Sequence, residues 1–153
     1  MLLLSIVLLG GLTIYRLERQ YVQQVEASLR TRAILIGEFI QAVPDLSGPR
    51  LQERIGALGK KVVTRITVLD DAGRVLADTD EKPADMENHA DRPEIREAQT
   101  GEFGSAIRYS TTLGQSMMYV AVRVPGDSAG VAYVRAQLTR ALDLMGIDVP
   151  NRM

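Results

Sequence analysis

The feature that most constrains the fold is a series of β-rich segments between residues 65 and 138, interrupted by one long polar run. The first two segments flank Asp70-Asp71-Ala72-Gly73, in which Gly73 can take the positive φ that a bulged hairpin needs. The turns between the other three favour an antiparallel meander. Strands are predicted at 62–70, 74–79, 103–109, 117–125 and 130–138.

Helices are predicted before and between these strands. Residues 16–43 contain no Pro and one Gly, and their apolar residues recur at steps of three, four and seven, which is typical of an amphipathic helix. Pro44 ends this helix, because the residue before a proline avoids the helical region. Pro49 and Gly59 suit the first turn and the end of a second helix, and a third is predicted at 93–99. We therefore expect an α+β domain, with a five-stranded antiparallel sheet packed by the long N-terminal helix.

The first fifteen residues are almost entirely apolar. As a helix they would extend roughly 22 Å, less than the ~30 Å hydrocarbon core of a bilayer. A signal peptide is disfavoured because no basic region precedes the run and no small-residue cleavage site follows it, and a buried core helix is disfavoured by its position at the terminus. We favour a truncated transmembrane helix at 1–15, continuous with the long helix. The apolar run is followed by four arginines: Arg16, Arg19, Arg30 and Arg32. The positive-inside rule places such residues on the cytoplasmic side of a membrane, so they count against a domain that lies outside the cytoplasm.

The composition excludes several classes of function. A formal net charge of -1 gives no basic field for nucleic acid, and the absence of cysteine excludes disulfides and thiolate metal sites. With no Gly-rich phosphate loop, no nucleophile elbow and one histidine, no enzyme, cofactor or metal site is expected in this chain. Residues 70–102 hold eleven acids against four bases. Such a face could bind divalent cations or cationic peptides, but without the spacing of a calcium loop a solvated acidic loop is favoured.

Four residues are candidates for binding a ligand: His89, Arg92, Arg108 and Tyr119. The histidine either fixes its loop to the sheet by hydrogen bonds, contacts a ligand or senses pH. A phosphoacceptor role is disfavoured by its acidic loop surroundings. The two arginines present guanidinium forks that suit carboxylate or phosphate, or else they pair with acids and only hold the fold. The acids considered for that structural role are Asp78, Asp91 and Glu94.

Strand alternation assigns faces to two of these candidates. Arg108 shares a face with Gly104 and Ala106, opposite Ser105, Ile107 and Tyr109. Tyr119 shares its face with Met117, Ala121 and Arg123.

Several motifs resemble those of one receptor family. Residues 65–70 (Arg-Ile-Thr-Val-Leu-Asp) and 73–78 (Gly-Arg-Val-Leu-Ala-Asp) resemble the opening hairpin of PAS-like extracytoplasmic sensor domains, also called Cache or PDC domains. Met86-Glu87-Asn88-His89, Arg92-Pro93-Glu94 and 104–110 (Gly-Ser-Ala-Ile-Arg-Tyr-Ser) are similar to the version in PhoR/PnpS-type sensor histidine kinases. The resemblance covers roughly residues 16 to 140.

The resemblance implies a two-component receptor in the inner membrane, with its sensor domain outside the cytoplasm. Such a receptor acts as a dimer. The narrow apolar stripe of the N-terminal helix before Leu29 suits pairing with the same helix of a second copy in a homodimer, and an ordinary amphipathic core helix, which needs no dimer, is the alternative. The receptor passes its signal across the membrane to a kinase core, which this chain lacks. A response regulator would interact only with that kinase core. The expected divisions are 1–15 (transmembrane), 16–60 (long and second helices), 61–138 (PAS/Cache-like core) and 139–153 (start of a signalling helix).

Two functions remain open at this stage, and a third possibility, the receptor part of a chemotaxis or cyclase protein, differs from the first only in what would follow residue 153. The first is a sensor of a small anion, with the pocket that PAS-like domains have between the sheet and the loop above it. The second is a docking domain for a partner membrane protein, with no small-molecule ligand. A polar pocket lined by Arg92, Arg108 or Tyr119 would favour the sensor, and a collapsed pocket would favour docking.

Overall fold

The computed structural model describes residues 2–43, 48–59, 61, 64–110, 115–128 and 131–138. It contains three α-helices and five strands in these ranges. The helices are α1 (Leu2–Ala42), α2 (Gly48–Gly59) and α3 (Pro93–Thr100). The strands are β1 (Arg65–Leu69), β2 (Val75–Asp78), β3 (Phe103–Ser110), β4 (Gln115–Ser128) and β5 (Val131–Leu138).

The predicted elements are present, with shifted ends. The helix α1 runs without interruption from the apolar run into the amphipathic segment, and β4 is longer than predicted at both ends. The polar run also contains a short 3-10 turn, Pro83–Asp85, that was not predicted. The expected helix end at Pro44, positions 62 and 63 of the first predicted strand, and the signalling helix at 139–153 lie outside the described residues.

All five strands form one antiparallel sheet in the order β2-β1-β5-β4-β3. The meander of β3, β4 and β5 is confirmed, and the hairpin of β1 and β2 joins its far side. The last strand therefore lies in the middle of the sheet, with Val134 opposite Val68 of β1 and Ala136 opposite Val120 of β4. This order brings the first and last strands, β1 and β5, side by side.

The main core lies between α1 and one face of the sheet. From α1, Leu29, Ala33 and Ile40 are buried against sheet residues such as Val68 and Val120. The apolar stripe of the helix recurs every three or four residues because these positions lie on one side of a 3.6-residue turn. The second helix adds Leu51 and Ile55 to the same core.

The opposite face of the sheet is partly covered by α3. A small apolar cluster holds the helix there, formed by Leu69, Ile95, Ala98, Ala121 and Tyr133. The close approach needs Gly104 in β3, because a Cβ there would lie 2.1 Å from the carbonyl oxygen of Glu94. The rest of this face is left to polar side chains.

Among the helices within the described ranges, none combines the length and the apolar character needed to cross a bilayer. The first part of α1 nevertheless exposes large apolar side chains, and Leu8 is 75% exposed. The exposed apolar residues of this part are Leu4, Ile6, Val7, Leu8, Leu9, Leu12, Ile14, Tyr15 and Leu17.

Candidate functional site

The candidate site is a polar cluster on the sheet face opposite α1. Strand alternation sends Thr67, Arg108, Tyr119 and Arg135 to this face, while their chain neighbours enter the apolar core. Pairing sets them close together, because Thr67 lies directly opposite Arg135. The predicted faces of Arg108 and Tyr119 agree with this arrangement.

Glu94 is the centre of the cluster. Its side chain has no exposed surface, and its Oε1 accepts a 2.8 Å hydrogen bond from the guanidinium of Arg108. The same oxygen lies 3.5 Å from Nη1 of Arg135, which is also buried and donates from Nη2 to the hydroxyl of Thr67 at 3.1 Å. Burial lowers the pKa of Arg135, and the charge of Glu94 acts in the opposite direction. One buried carboxylate therefore serves two guanidinium groups.

Tyr119 supports the same two arginines from the sheet. The guanidinium of Arg108 lies 4.0 Å from the centre of its ring, and that of Arg135 lies 5.2 Å away. The negative face of an aromatic ring attracts a cation at these distances. The ring and Glu94 together hold two like charges side by side, which would otherwise repel.

Several buried polar atoms of the cluster have no hydrogen-bond partner within the described part of the chain. They are Oε2 of Glu94, Nε of Arg108, Nε of Arg135 and Nδ1 of His89. Buried polar groups are rarely left unpaired, and those that are require an explanation. Three of the four residues that carry these atoms, Arg108, Arg135 and His89, also line a cavity.

The cavity has a volume of about 450 Å³, which is within the range of small-molecule sites. Its floor is made by the sheet, and its wall by the loop that precedes α3. The lining residues are Arg65, Glu81, Asp85, Met86, Glu87, His89, Arg92, Arg108, Met117, Tyr119, Arg135 and Gln137.

His89 joins the loop to the opening hairpin through its main chain. Its N–H donates to the carbonyl of Gly73 at 2.8 Å, and its own carbonyl accepts from the N–H of Arg92 at 3.0 Å. Gly73 has φ +76°, and a Cβ there would lie 2.4 Å from the backbone nitrogen of Ala90. The contact between the hairpin turn and the loop therefore requires glycine at this position.

The side chain of His89 has a different environment from its backbone. It is buried, and burial, followed by the charges of Arg135 and Arg92, lowers its pKa to about 4. The backbone of Glu87 and Asn88 acts weakly in the opposite direction. The imidazole is therefore neutral at pH 7. The bonds to Gly73 and Arg92 are made by the backbone of His89, so the expected role of its imidazole stays a prediction.

Asp78, at the end of β2, fixes the near side of the cavity. Its buried carboxylate accepts from the hydroxyl of Thr67 at 2.7 Å and from Nε of Arg65 at 3.1 Å. It also accepts hydrogen bonds from the backbone N–H groups of Asp80 and Glu81, the first residues of the polar loop. These bonds hold Arg65 at the cavity edge with its charge already neutralised.

The structure brings all four predicted residues to one cavity, although they come from a loop and two strands. Arg92 lies at its edge, 4.0 Å from Glu87. Arg108 pairs with Glu94, one of the acids considered for a structural role. A ligand-binding role for His89, Arg92, Arg108 and Tyr119 stays a prediction.

Sequence reasoning did not single out Arg135, and it considered Glu94 only as a possible partner of Arg92 or Arg108, without its burial. Arg135 lies in Tyr133-Val134-Arg135-Ala136-Gln137, whose alternation already separates a polar face from an apolar one. Glu94 follows Pro93 at the start of a helix, a pattern that indicates a helix start and gives no sign of burial. No group of three or more potential metal ligands occurs in the described part of the chain.

No protein-family model matches the sequence, and no curated protein is significantly similar to it. Solved structures do share its fold. The sensor domain of the V. cholerae histidine kinase DctB is 14% identical, with a TM-score of 0.57 over 89% of this chain and 59% of that one. The ligand-binding domain of the Campylobacter jejuni chemoreceptor Tlp3, solved with L-valine, is 12% identical, with a TM-score of 0.64 over 97% of this chain and 66% of that one.

A methyl-accepting chemotaxis protein from Vibrio parahaemolyticus is 11% identical, with a TM-score of 0.58 over 87% of this chain and 99% of that one. This chain spans less than two thirds of the DctB and Tlp3 domains. The likenesses show that the chain has the fold found in sensor domains of histidine kinases and chemoreceptors, as the PAS/Cache-like expectation requires.

Proposed function

We propose that this chain is the extracytoplasmic sensor module of a membrane receptor, and that the cavity beside Glu94 binds a small anion. The observation that carries the proposal is the pair Arg108 and Arg135, held together over Tyr119 and sharing one buried carboxylate. Two guanidinium groups against one carboxylate leave one positive charge in excess. A ligand carboxylate or phosphate group would balance that charge.

The other charges of the cavity support an anion at its inner end. Arg65 is already paired with Asp78 and Glu81, and Arg92 lies near Glu87. The excess positive charge is therefore confined to the cluster around Glu94, where burial strengthens electrostatic attraction. The acids Glu81, Asp85 and Glu87 lie along the loop wall, where they favour hydroxyl or ammonium groups on the outer part of a ligand.

A chain of polar contacts joins the cavity to α1. Glu97, one turn after Glu94, accepts the N–H of Ser105 at 2.8 Å, and the hydroxyl of Ser105 donates to Glu26 of α1 at 3.1 Å. One turn further along α1, Arg30 pairs with Glu102 at 3.1 Å and lies over the ring of Phe103. A ligand that competes with Glu94 for Arg108 would shift α3 and, through β3, bias the position of α1.

The same helix is proposed to carry the signal to the membrane. Its exposed apolar start is the part that we place in the inner membrane, and exposed side chains such as Leu17 and Ile34 are proposed to contact α1 of a second copy. The parent is proposed to be a PhoR-like histidine kinase, acting on a response regulator through its kinase core. This narrower assignment is supported by the sequence motif around His89 and by the family resemblance alone.

The proposal is tested by the melting temperature of the 153-residue chain in a panel of dicarboxylates, hydroxy acids, amino acids and phosphate. A ligand that binds only the folded state raises the melting temperature by mass action. We expect at least one compound to raise that of the wild type and of Arg123→Gln, an exposed arginine on the same strand as Tyr119. Arg108→Gln should lose the increase. A panel with no effect on the wild type, or an increase that survives Arg108→Gln, would contradict the proposal.

A further inference from the structure

A second concave surface lies on the other side of the sheet, between α1 and α2. Its volume is about 480 Å³, again within the range of small-molecule sites. It shares no lining residue with the polar cavity. The residues that line it are Arg32, Leu35, Ile36, Phe39, Arg54, Ala57, Leu58, Lys61, Thr64 and Ile66, and we call it the helix groove.

The interior of the helix groove is apolar. Ile36 and Ile66 are buried at its base, while Leu35 is 58% and Phe39 is 41% exposed along its side. Leu58 of α2 faces them across the groove. Apolar surface that is both exposed and concave is unusual on a soluble domain and marks a place where another apolar group can bind.

Three cations surround this apolar surface: Arg32, Arg54 and Lys61. None of them forms an ion pair within the described part of the chain, although Arg30, Arg65, Arg74, Arg92, Arg108 and Arg135 all do. Arg32 is held in place by donating a hydrogen bond to the buried hydroxyl of Thr64. The described lining contains no acid, so the positive charge at the groove is not neutralised.

We propose that the helix groove binds a free single-chain amphiphile with an anionic head group, of the fatty-acid class. The alkyl chain would lie against Leu35, Phe39 and Leu58, where its burial removes apolar surface from water. The head group would lie among the three cations. This site is separate from the anion cavity and does not depend on it.

The size and position of the groove favour a free molecule over two other occupants. A concavity of this size suits a small ligand better than a whole helix of a second copy. Arg32 lies seventeen residues beyond Tyr15 along α1, roughly 26 Å at ~1.5 Å per residue, so a lipid anchored at the apolar start of the helix would not reach it. A molecule bound there would lie between α1 and α2. It could therefore shift α1, the helix that polar contacts join to the polar cavity.

The test uses the 153-residue chain in nanodiscs of zwitterionic lipid, with octanoate as the probe and octyltrimethylammonium as its cationic counterpart. The methyl resonances of Ile36, Leu58 and Ile66 report on occupation of the groove. We expect saturable shifts with octanoate and none with the cation. Equal responses to both probes, or no response to octanoate, would overturn the proposal.

Charge variants on α2 and near its end provide the control. Arg54→Glu combined with Lys61→Glu should weaken octanoate binding about tenfold or more, equivalent to about 1.4 kcal/mol. Arg50→Glu makes the same change at an exposed position outside the groove and should leave the affinity within about twofold. Ala57→Phe fills the groove without changing charge and should also abolish binding.

Measurements at several protein concentrations distinguish the amphiphile from a second copy of the chain in the groove. If the methyl shifts depend on protein concentration and not on octanoate, a second copy occupies the groove and the amphiphile proposal is wrong. An octanoate affinity that is unchanged by the double charge reversal would contradict it equally.

Discussion

Arg108 donates a 2.8 Å hydrogen bond to Glu94, a carboxylate whose side chain has no exposed surface. The two residues lie on β3 and α3, and the bond ties the short helix to the sheet above a cavity. Because Arg135 approaches the same carboxylate oxygen, Glu94 is the single acid that balances two adjacent guanidinium groups. The stability of the polar face therefore depends on this one carboxylate.

Replacing Glu94 with Gln should strongly destabilise the folded chain. The change keeps the shape of the side chain but leaves two guanidinium groups without a counter-charge, and breaking a buried ion pair costs about 3–5 kcal/mol. Since Arg108 is partly exposed, we expect the lower end of this range, about 3 kcal/mol, in urea unfolding.

The matched control is Glu102→Gln, which removes the carboxylate of the exposed ion pair with Arg30. Exposed pairs contribute about 1 kcal/mol or less. Equal losses for Glu94→Gln and Glu102→Gln would show that the buried cluster is not organised as described.

Gly104→Ala should displace α3 from the sheet. The added Cβ would lie 2.1 Å from the carbonyl oxygen of Glu94 and 2.7 Å from Cβ of Glu97, so the helix has to move. Forced overpacking of this kind costs about 1–3 kcal/mol. Chemical denaturation of Gly104→Ala should show such a loss.

Gly101→Ala is the control for the same substitution near the end of the helix. There the nearest atoms to a new Cβ lie 3.5 Å away, which is ordinary contact. A Gly104→Ala variant as stable as Gly101→Ala would contradict the close approach of α3 to β3.

The burial of His89 predicts a pH dependence of stability. Its folded-state pKa of about 4 is below the value of about 6.5 expected for an unfolded chain, so the unfolded state binds more protons between these values. The free energy of unfolding should therefore fall as the pH decreases from about 6.5 to about 4. The loss should be on the order of 3 kcal/mol, since a difference of one between the folded and unfolded pKa corresponds to about 1.4 kcal/mol.

The comparison variant is His89→Gln, measured by urea unfolding over the same pH range. Carboxylates titrate in both proteins, so the difference between the two curves isolates the histidine. We expect the wild type to lose more stability than His89→Gln on acidification. Parallel curves would show that the imidazole is accessible to protons in the folded state.

The fold was largely predictable because the spacing of apolar residues differs between strands and helices. Strand alternation correctly predicted the sheet faces of Arg108 and Tyr119. The recurrence of apolar residues at steps of three and four correctly predicted the buried side of α1. The position of β5 between β1 and β4 was not predicted, since it depends on pairing between segments far apart in the chain. That pairing is what places Arg135 beside Thr67.

The candidate site was only half predictable for the same reason. Arg108 and Tyr119 could be placed on a face, and Glu94 could be considered as a partner of the arginines, but nothing indicated that its carboxylate is buried. Its burial depends on Gly104 allowing α3 close to the sheet, which no local pattern reveals. The backbone bond from His89 to Gly73 is likewise a contact between distant segments that residue types do not encode.

The most direct test of the anion site is hydrogen–deuterium exchange of the wild type, with and without the panel compound that raises its melting temperature most. Ligand bound at the cavity should slow exchange in residues 86–92, in α3 and in β3, and should alter exchange in α1 around Glu26 and Arg30. Protection confined to the helix groove, or no protection on the polar face of the sheet, would contradict the proposed sensor.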